Sequence, residues 1–107
     1  MHPQTSKIIG TILNYKKSLK DLNIRAEKII LYGSYATGKQ RKDSDIDLIV
    51  ISNDFRKMNI RERLEILGIA AGRLMKPIEA LGYTSQEINN SLQGSFIKEI
   101  LRTGVII

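Results

Sequence analysis

The chain has 107 residues, 42% of them apolar and 26% charged, with a formal net charge of +6; that length builds one core with no room for a second, and the composition is that of a globular chain. With no cysteine and a single histidine, His2, a disulfide framework and a zinc centre are excluded, and no run approaches the roughly 20 apolar residues that cross a bilayer. Residues 1–10 lack the apolar stretch of a signal peptide, so the expectation is one cytoplasmic domain spanning 1–107, without a membrane partner. The positive charge attracts polyanions, nucleotides included, but 6% aromatic residues and no tryptophan disfavour a dedicated nucleic-acid reader.

In chain order, Ile8, Ile9, Ile12, Leu13, Leu19 and Leu22 recur at helical spacing opposite Lys16, Lys17 and Lys20, which predicts an amphipathic helix over 5–21. Lys28-Ile29-Ile30-Leu31-Tyr32 predicts a strand buried on both faces. A polar loop bounded by Gly33 and Ser44 follows. From Asp45 the pattern alternates, with Asp45, Asp47, Ile49 and Ile51 on one strand face and Ile46, Leu48 and Val50 on the other. Asn59 and Glu62 have capping-box spacing ahead of Ile60, Leu64, Leu67, Ala71 and Leu74, a helical pattern that runs on until Pro77. Residues 77–83 read as a third strand. Thr84 and Glu87 repeat the capping box, and Ile88, Leu92, Phe96, Ile97, Ile100 and Leu101 predict one final helix ending at Gly104. Val105, Ile106 and Ile107 form an apolar tail that docks on the core. The order implies an α+β fold: a small mixed sheet of three or four strands with helices packed on it in two layers.

The stretch ILYGSYATGKQRKDSDIDLIV, residues 30–50, begins like a phosphate-binding P-loop, with G-x-x-x-x-G-K from Gly33 to Lys39. A P-loop needs Ser or Thr after that lysine and a helix starting there; Gln40 and a polar run stand in their place. Asp43, Asp45, Asp47 and Asp54 mimic calcium-loop spacing, but Leu48 occupies the position that must turn as glycine, and the run is too apolar for a hydrated loop. Two aspartates on one strand face remain, about 6 to 7 Å apart along the backbone. They can converge on one divalent ion or on a pair of ions, and an all-oxygen donor set favours magnesium. An acid pair beside so apolar a run would repel itself without a cation.

Gly-Ser after a buried strand, a short loop and then Ser-Asp-Ile-Asp-Leu resembles the signature of the DNA polymerase β-type nucleotidyltransferase superfamily, in particular its minimal members. Gly33, Ser34, Ser44, Asp45, Asp47 and Leu48 match it position by position. The resemblance implies the nucleotidyltransferase fold and transfer of a nucleoside monophosphate from a nucleoside triphosphate, ATP being favoured, to an acceptor hydroxyl. It implies nucleotide-binding roles for Gly33, Ser34, Lys39 and Ser44, with Arg41 and Lys42 as further cations near the triphosphate. Asp45 and Asp47 would hold two magnesium ions, and Glu79, in the third strand, would be the third carboxylate, serving as metal ligand and as base.

Two positions depart from the family pattern. Thr37 stands where many relatives carry arginine, removing a phosphate contact, and Glu79 stands where aspartate is common, adding a methylene. Minimal members pair with small helical HEPN-type toxins, in some cases adding AMP to a tyrosine, so the resemblance implies an antitoxin. A non-catalytic module that neutralises its partner by contact is the alternative. Either requires a second chain or a homo-oligomer to complete the surface.

Overall fold

Two runs that tolerate water on neither face, residues 29–31 and 48–51, form the middle of the sheet. The structure, a computed structural model, describes residues 3–41, 44–90 and 94–107. In chain order the elements are α1 (Pro3–Asp21), β1 (Lys28–Tyr32), α2 (Ser34–Thr37), β2 (Ile46–Ile51), a 3-10 turn (Asn53–Phe55), α3 (Ile60–Leu74), β3 (Ile78–Tyr83), α4 (Ser85–Asn90), α5 (Ser95–Thr103) and β4 (Val105–Ile106). The strands form one sheet in the order β3-β2-β1-β4.

β1 and β2 pair antiparallel, with Tyr32 opposite Asp47. β2 and β3 run parallel, with Asp47 opposite Glu79, a geometry that needs a crossover, here α3. The apolar tail supplies the fourth strand, pairing Val105 with Leu31 and Ile106 with Ile30.

Strand alternation sends Ile29, Leu31, Ile46, Leu48 and Val50 to one face, where they pack with Ile12, Tyr15 and Leu19 of α1 and Leu67, Ala70 and Ala71 of α3. The two helices are also tied by polar bonds: Tyr15 Oη donates to the Leu67 carbonyl (2.9 Å) and Ser18 Oγ to that of Ala70 (3.0 Å). On the opposite face Ile30, Ile49 and Ile51 pack with Ile88, Ile97 and Ile100. At one end of that face, among the described residues, Asp45 and Glu79 are exposed and Asp47 is half-buried. No helix among the described residues is long and apolar enough to cross a membrane.

Both capping boxes form. Asn59 Oδ1 accepts from the Glu62 amide (2.8 Å) and Glu62 Oε1 from that of Asn59 (2.9 Å); Thr84 and Glu87 exchange the equivalent pair. Three expectations are corrected. The single final helix is two, because Gly94 takes an extended conformation as the N-cap of α5; Leu92 lies outside the described residues. α3 stops at Met75, whose backbone turns left-handed at φ 54°, two residues before Pro77. The loop after β1 holds one helical turn, α2, closed by Gly38 at φ 76°.

Candidate active site

β1 ends at Tyr32 and Gly33 turns the chain at φ 74°, ψ −151°, a region essentially closed to residues with a Cβ. The turn brings the backbone against β2 so closely that a Cβ on Gly33 would lie 2.5 Å from Oδ2 of Asp47. Glycine is thus required twice, by its backbone angles and by the neighbouring carboxylate. α2 then folds back on Gly33: the amides of Ala36 and Thr37 donate to the Gly33 carbonyl at 3.1 and 3.3 Å, as does the Thr37 hydroxyl (3.3 Å). Thr37 therefore serves the turn itself. Ser44 closes the far end, its hydroxyl accepting from the Arg41 amide (2.7 Å) and its amide donating to the Arg41 carbonyl (3.0 Å).

Across the sheet the register sets Tyr32, Asp47 and Glu79 in one row. Asp45, expected inside the strand, lies one residue before it and, two residues from Asp47, leans to the same face. The acids sense one another. Burial first, then the Asp45 charge, pushes the Asp47 carboxyl above its ordinary value. Glu79 is pushed up chiefly by the Asp45 charge, then by desolvation, the Asp47 charge and a side-chain hydrogen bond with Asp45. The Tyr32 hydroxyl is raised by burial and then by the charges of Asp47 and Glu79. Like charges so arranged stabilise a bound cation or a shared proton. No group of three or more Asp, Glu, His or Cys side chains among the described residues is gathered into a complete metal cage.

Two cavities flank the row. One of about 330 Å³ lies on the loop side, lined by Tyr32, Gly33, Thr37 and residues of α5. Another of about 480 Å³ lies on the β3 side and includes Glu79 and Leu81. The structure thus brings Gly33, Ser34, Asp45, Asp47 and Glu79 to one end of the sheet. Lys39 and Arg41 are exposed on the loop, and Lys42 and Asp43 lie outside the described residues. Sequence reasoning did not single out Tyr32, the aromatic of the row, whose ring meets that of Phe96 edge-on at 6.1 Å. Its signal was its place directly before the Gly-Ser pair, on the face of the aspartates.

Residues 12–105 match the nucleotidyltransferase domain family. Two similar proteins of Methanocaldococcus jannaschii carry the name "putative protein adenylyltransferase". One is 31% identical over 90% of this chain and 93% of its own length; the other is 28% identical over 92% and 97%. Among solved structures, a "putative nucleotidyltransferase" from Sulfolobus solfataricus superposes with a TM-score of 0.66 at 14% identity, covering 96% of this chain and 81% of that one. A chain of a crystal structure described as "the toxin-antitoxin with AMP-PNP" gives a TM-score of 0.52 at 20% identity, covering 85% and 82%. At such identities the structural likeness speaks for the fold, while the family match and the first relative speak for descent. The chain belongs to the nucleotidyltransferase family, as the glycine-serine turn and its spaced aspartates implied.

Proposed function

We propose that the chain, as a single cytoplasmic domain, transfers AMP from ATP to a hydroxyl of a partner protein, a tyrosine of a small helical HEPN-type toxin, and so acts as its antitoxin. The observation that carries this reading is the row Tyr32, Asp47, Glu79 set against Gly33, with Asp45 beside it. The names of the relatives support a protein acceptor, and that of the structural neighbour supports an adenine nucleotide and a toxin partner.

The donor set fits magnesium. It is all oxygen, and magnesium takes one or two carboxylates and completes its shell with water and substrate phosphates, so a complete protein cage is not needed. Asp45 and Asp47, with Glu79 across the strand, would hold it; when bound, it neutralises the charge that develops on the phosphates. Gly33 lets the backbone approach the triphosphate, and the Ser34 hydroxyl and the loop amides donate to its oxygens. Ser44 holds the loop exit, and Lys39 adds a positive charge. The acceptor oxygen attacks the α-phosphorus and forms a new P–O bond, while the bond from that phosphorus to the bridging oxygen of the β-phosphate breaks. Pyrophosphate leaves with the bond's electron pair, and the acceptor's proton passes to the Glu79 carboxylate.

The test incubates the chain with α-labelled ATP, magnesium and a helical HEPN-type protein as candidate partner. Label on the partner that is lost in Asp45→Ala/Asp47→Ala supports transfer. An unlabelled partner, neutralised equally by wild type and variant, replaces this reading with a module that acts by contact alone.

A further inference from the structure

β3 is an edge of the sheet, and its outer side carries backbone hydrogen-bonding groups that no further strand pairs. The Ile46 amide donates to the Pro77 carbonyl (2.8 Å) and the Ser52 amide to that of Tyr83 (2.9 Å). With the register between them, parallel pairing aims the backbone groups of residues 79, 81 and 83 at β2 and those of 78, 80 and 82 outward. Two of these are satisfied inside the chain: the Ile78 amide donates to Lys76 (2.8 Å) and the Gly82 carbonyl accepts from Arg63 Nη1 (3.2 Å). Among the described residues, the Ile78 carbonyl, both groups of Ala80 and the Gly82 amide remain.

Natural edges are usually guarded by charge, proline or a covering element. Within this strand Glu79 is the one charged residue. The edge is flanked instead by an apolar groove. The 480 Å³ cavity that includes Glu79 continues over Leu64 and Gly68 of α3 and Ile78 and Leu81 of β3. A second, of about 210 Å³, extends it past Ile60 and Tyr83, and Ile60 is 74% exposed.

We propose that this edge is the acceptor dock: an extended segment of the partner protein adds to β3 as a further strand, its apolar side chains lying in the α3 groove and its acceptor hydroxyl reaching Glu79. The inference rests on the transfer reading above and adds where, and by what chemistry, the acceptor is held. Three observations select this occupant. Sheet order places the Gly33 loop on one side of Asp47 and β3 on the other, so the triphosphate and the acceptor approach from opposite sides. The free groups are those of a strand, which a polypeptide matches in spacing. The groove's walls are largely apolar, its Glu87 is paired with Arg63, and the carboxylate left, Glu79, repels a phosphate backbone, which disfavours nucleic acid.

Gly68 allows a direct test, because a Cβ there meets nothing within 4 Å and the residue lines the groove; Gly68→Phe places a ring at the groove wall, and Gly68→Ala is its control. Ala80→Pro removes an outward amide at an edge position where proline is tolerated. The probes are short tyrosine-containing peptides with aliphatic flanks, and single-stranded oligonucleotides. Binding is followed by fluorescence polarisation, ATP binding is measured alongside, and melting curves confirm folding. We expect peptide capture that weakens about tenfold or more in Gly68→Phe and Ala80→Pro, survives in Gly68→Ala, and leaves ATP binding unchanged. Protection of the Ala80 and Gly82 amides from hydrogen exchange in the peptide complex would support the added strand. Absence of peptide capture, affinity unchanged in both variants, preference for oligonucleotides, or variants that only dissociate a homodimer would each overturn the dock. Peptide held at this edge with no label transferred from ATP would leave the dock standing and remove the transfer reading.

Discussion

Asp47 lies so close beneath Gly33 that the space a Cβ would occupy is taken by the Asp47 carboxylate, 2.5 Å away at Oδ2. Turn and acid are therefore one unit, and changing either disturbs the other. At φ 74°, ψ −151° alanine also meets backbone strain of about 1–3 kcal/mol. Gly33→Ala is expected to lose more than that strain alone in urea denaturation, because the Asp47 contact adds to it, and a carboxylate displaced by an ångström lowers the transfer rate about a hundredfold. In the Asp47→Ala background the stability loss shrinks, since only the backbone strain remains. Equal losses in both backgrounds would show that the contact does not matter.

The acids oppose folding when no cation is bound. Asp47 and Glu79 have raised values in the fold, so folding disfavours their charged forms. The penalty is absent below their ordinary values of 3.8 and 4.5, where both states are protonated, and complete once pH exceeds the raised folded values. At neutral pH in chelator, Asp47→Asn is accordingly expected to raise the melting midpoint by a few degrees. Magnesium should raise the midpoint of the wild type more than that of the variant. A variant midpoint below that of the wild type in chelator would contradict this account.

Arg63 is buried, 7% exposed, and joins four segments. It donates to the carbonyls of Met58, Phe55 and Gly82, binds both oxygens of Glu87 at 2.6 and 3.1 Å, and stacks over the Phe55 ring at 5.6 Å. Arg63→Met strands three carbonyls and is expected to cost about 3–5 kcal/mol, measured by urea denaturation. The Glu87 carboxyl is held below its ordinary value, first by the Arg63 hydrogen bond. Its stabilisation is therefore present above the unfolded value of 4.5 and lost as pH falls through the lower folded value. With its side chain 42% exposed, solvent limits that contribution to about 1 kcal/mol or less. Glu87→Gln should flatten the melting midpoint across that window, and a profile as steep as wild type would rule the pair out as its source.

Where local chemistry decided the outcome, the elements were legible. The capping residues Asn59 and Thr84, the apolar runs of β1 and β2, and the alternation that sets Asp45 and Asp47 on one face all depend on neighbours within a few positions. The final helix failed for a related reason. Its apolar period survives the break, so periodicity does not reveal that Gly94 leaves the helix. Arg63 was invisible as a hub because its partners lie 5 to 24 residues away, and Tyr32 read as the last residue of a strand.

By itself, then, the sequence determined that a glycine turn precedes two spaced aspartates, that the donors are oxygen, and that the family is that of nucleotidyltransferases, because these are properties of order and spacing along one chain. Only the tertiary structure decided that β3 runs parallel to β2 with Glu79 opposite Asp47, that Asp47 fills the space beneath Gly33, and that β3 is left at the edge. Strand order and register arise from burying two apolar faces at once against α1, α3, α4 and α5, a requirement on residues far apart in the chain that no local pattern records.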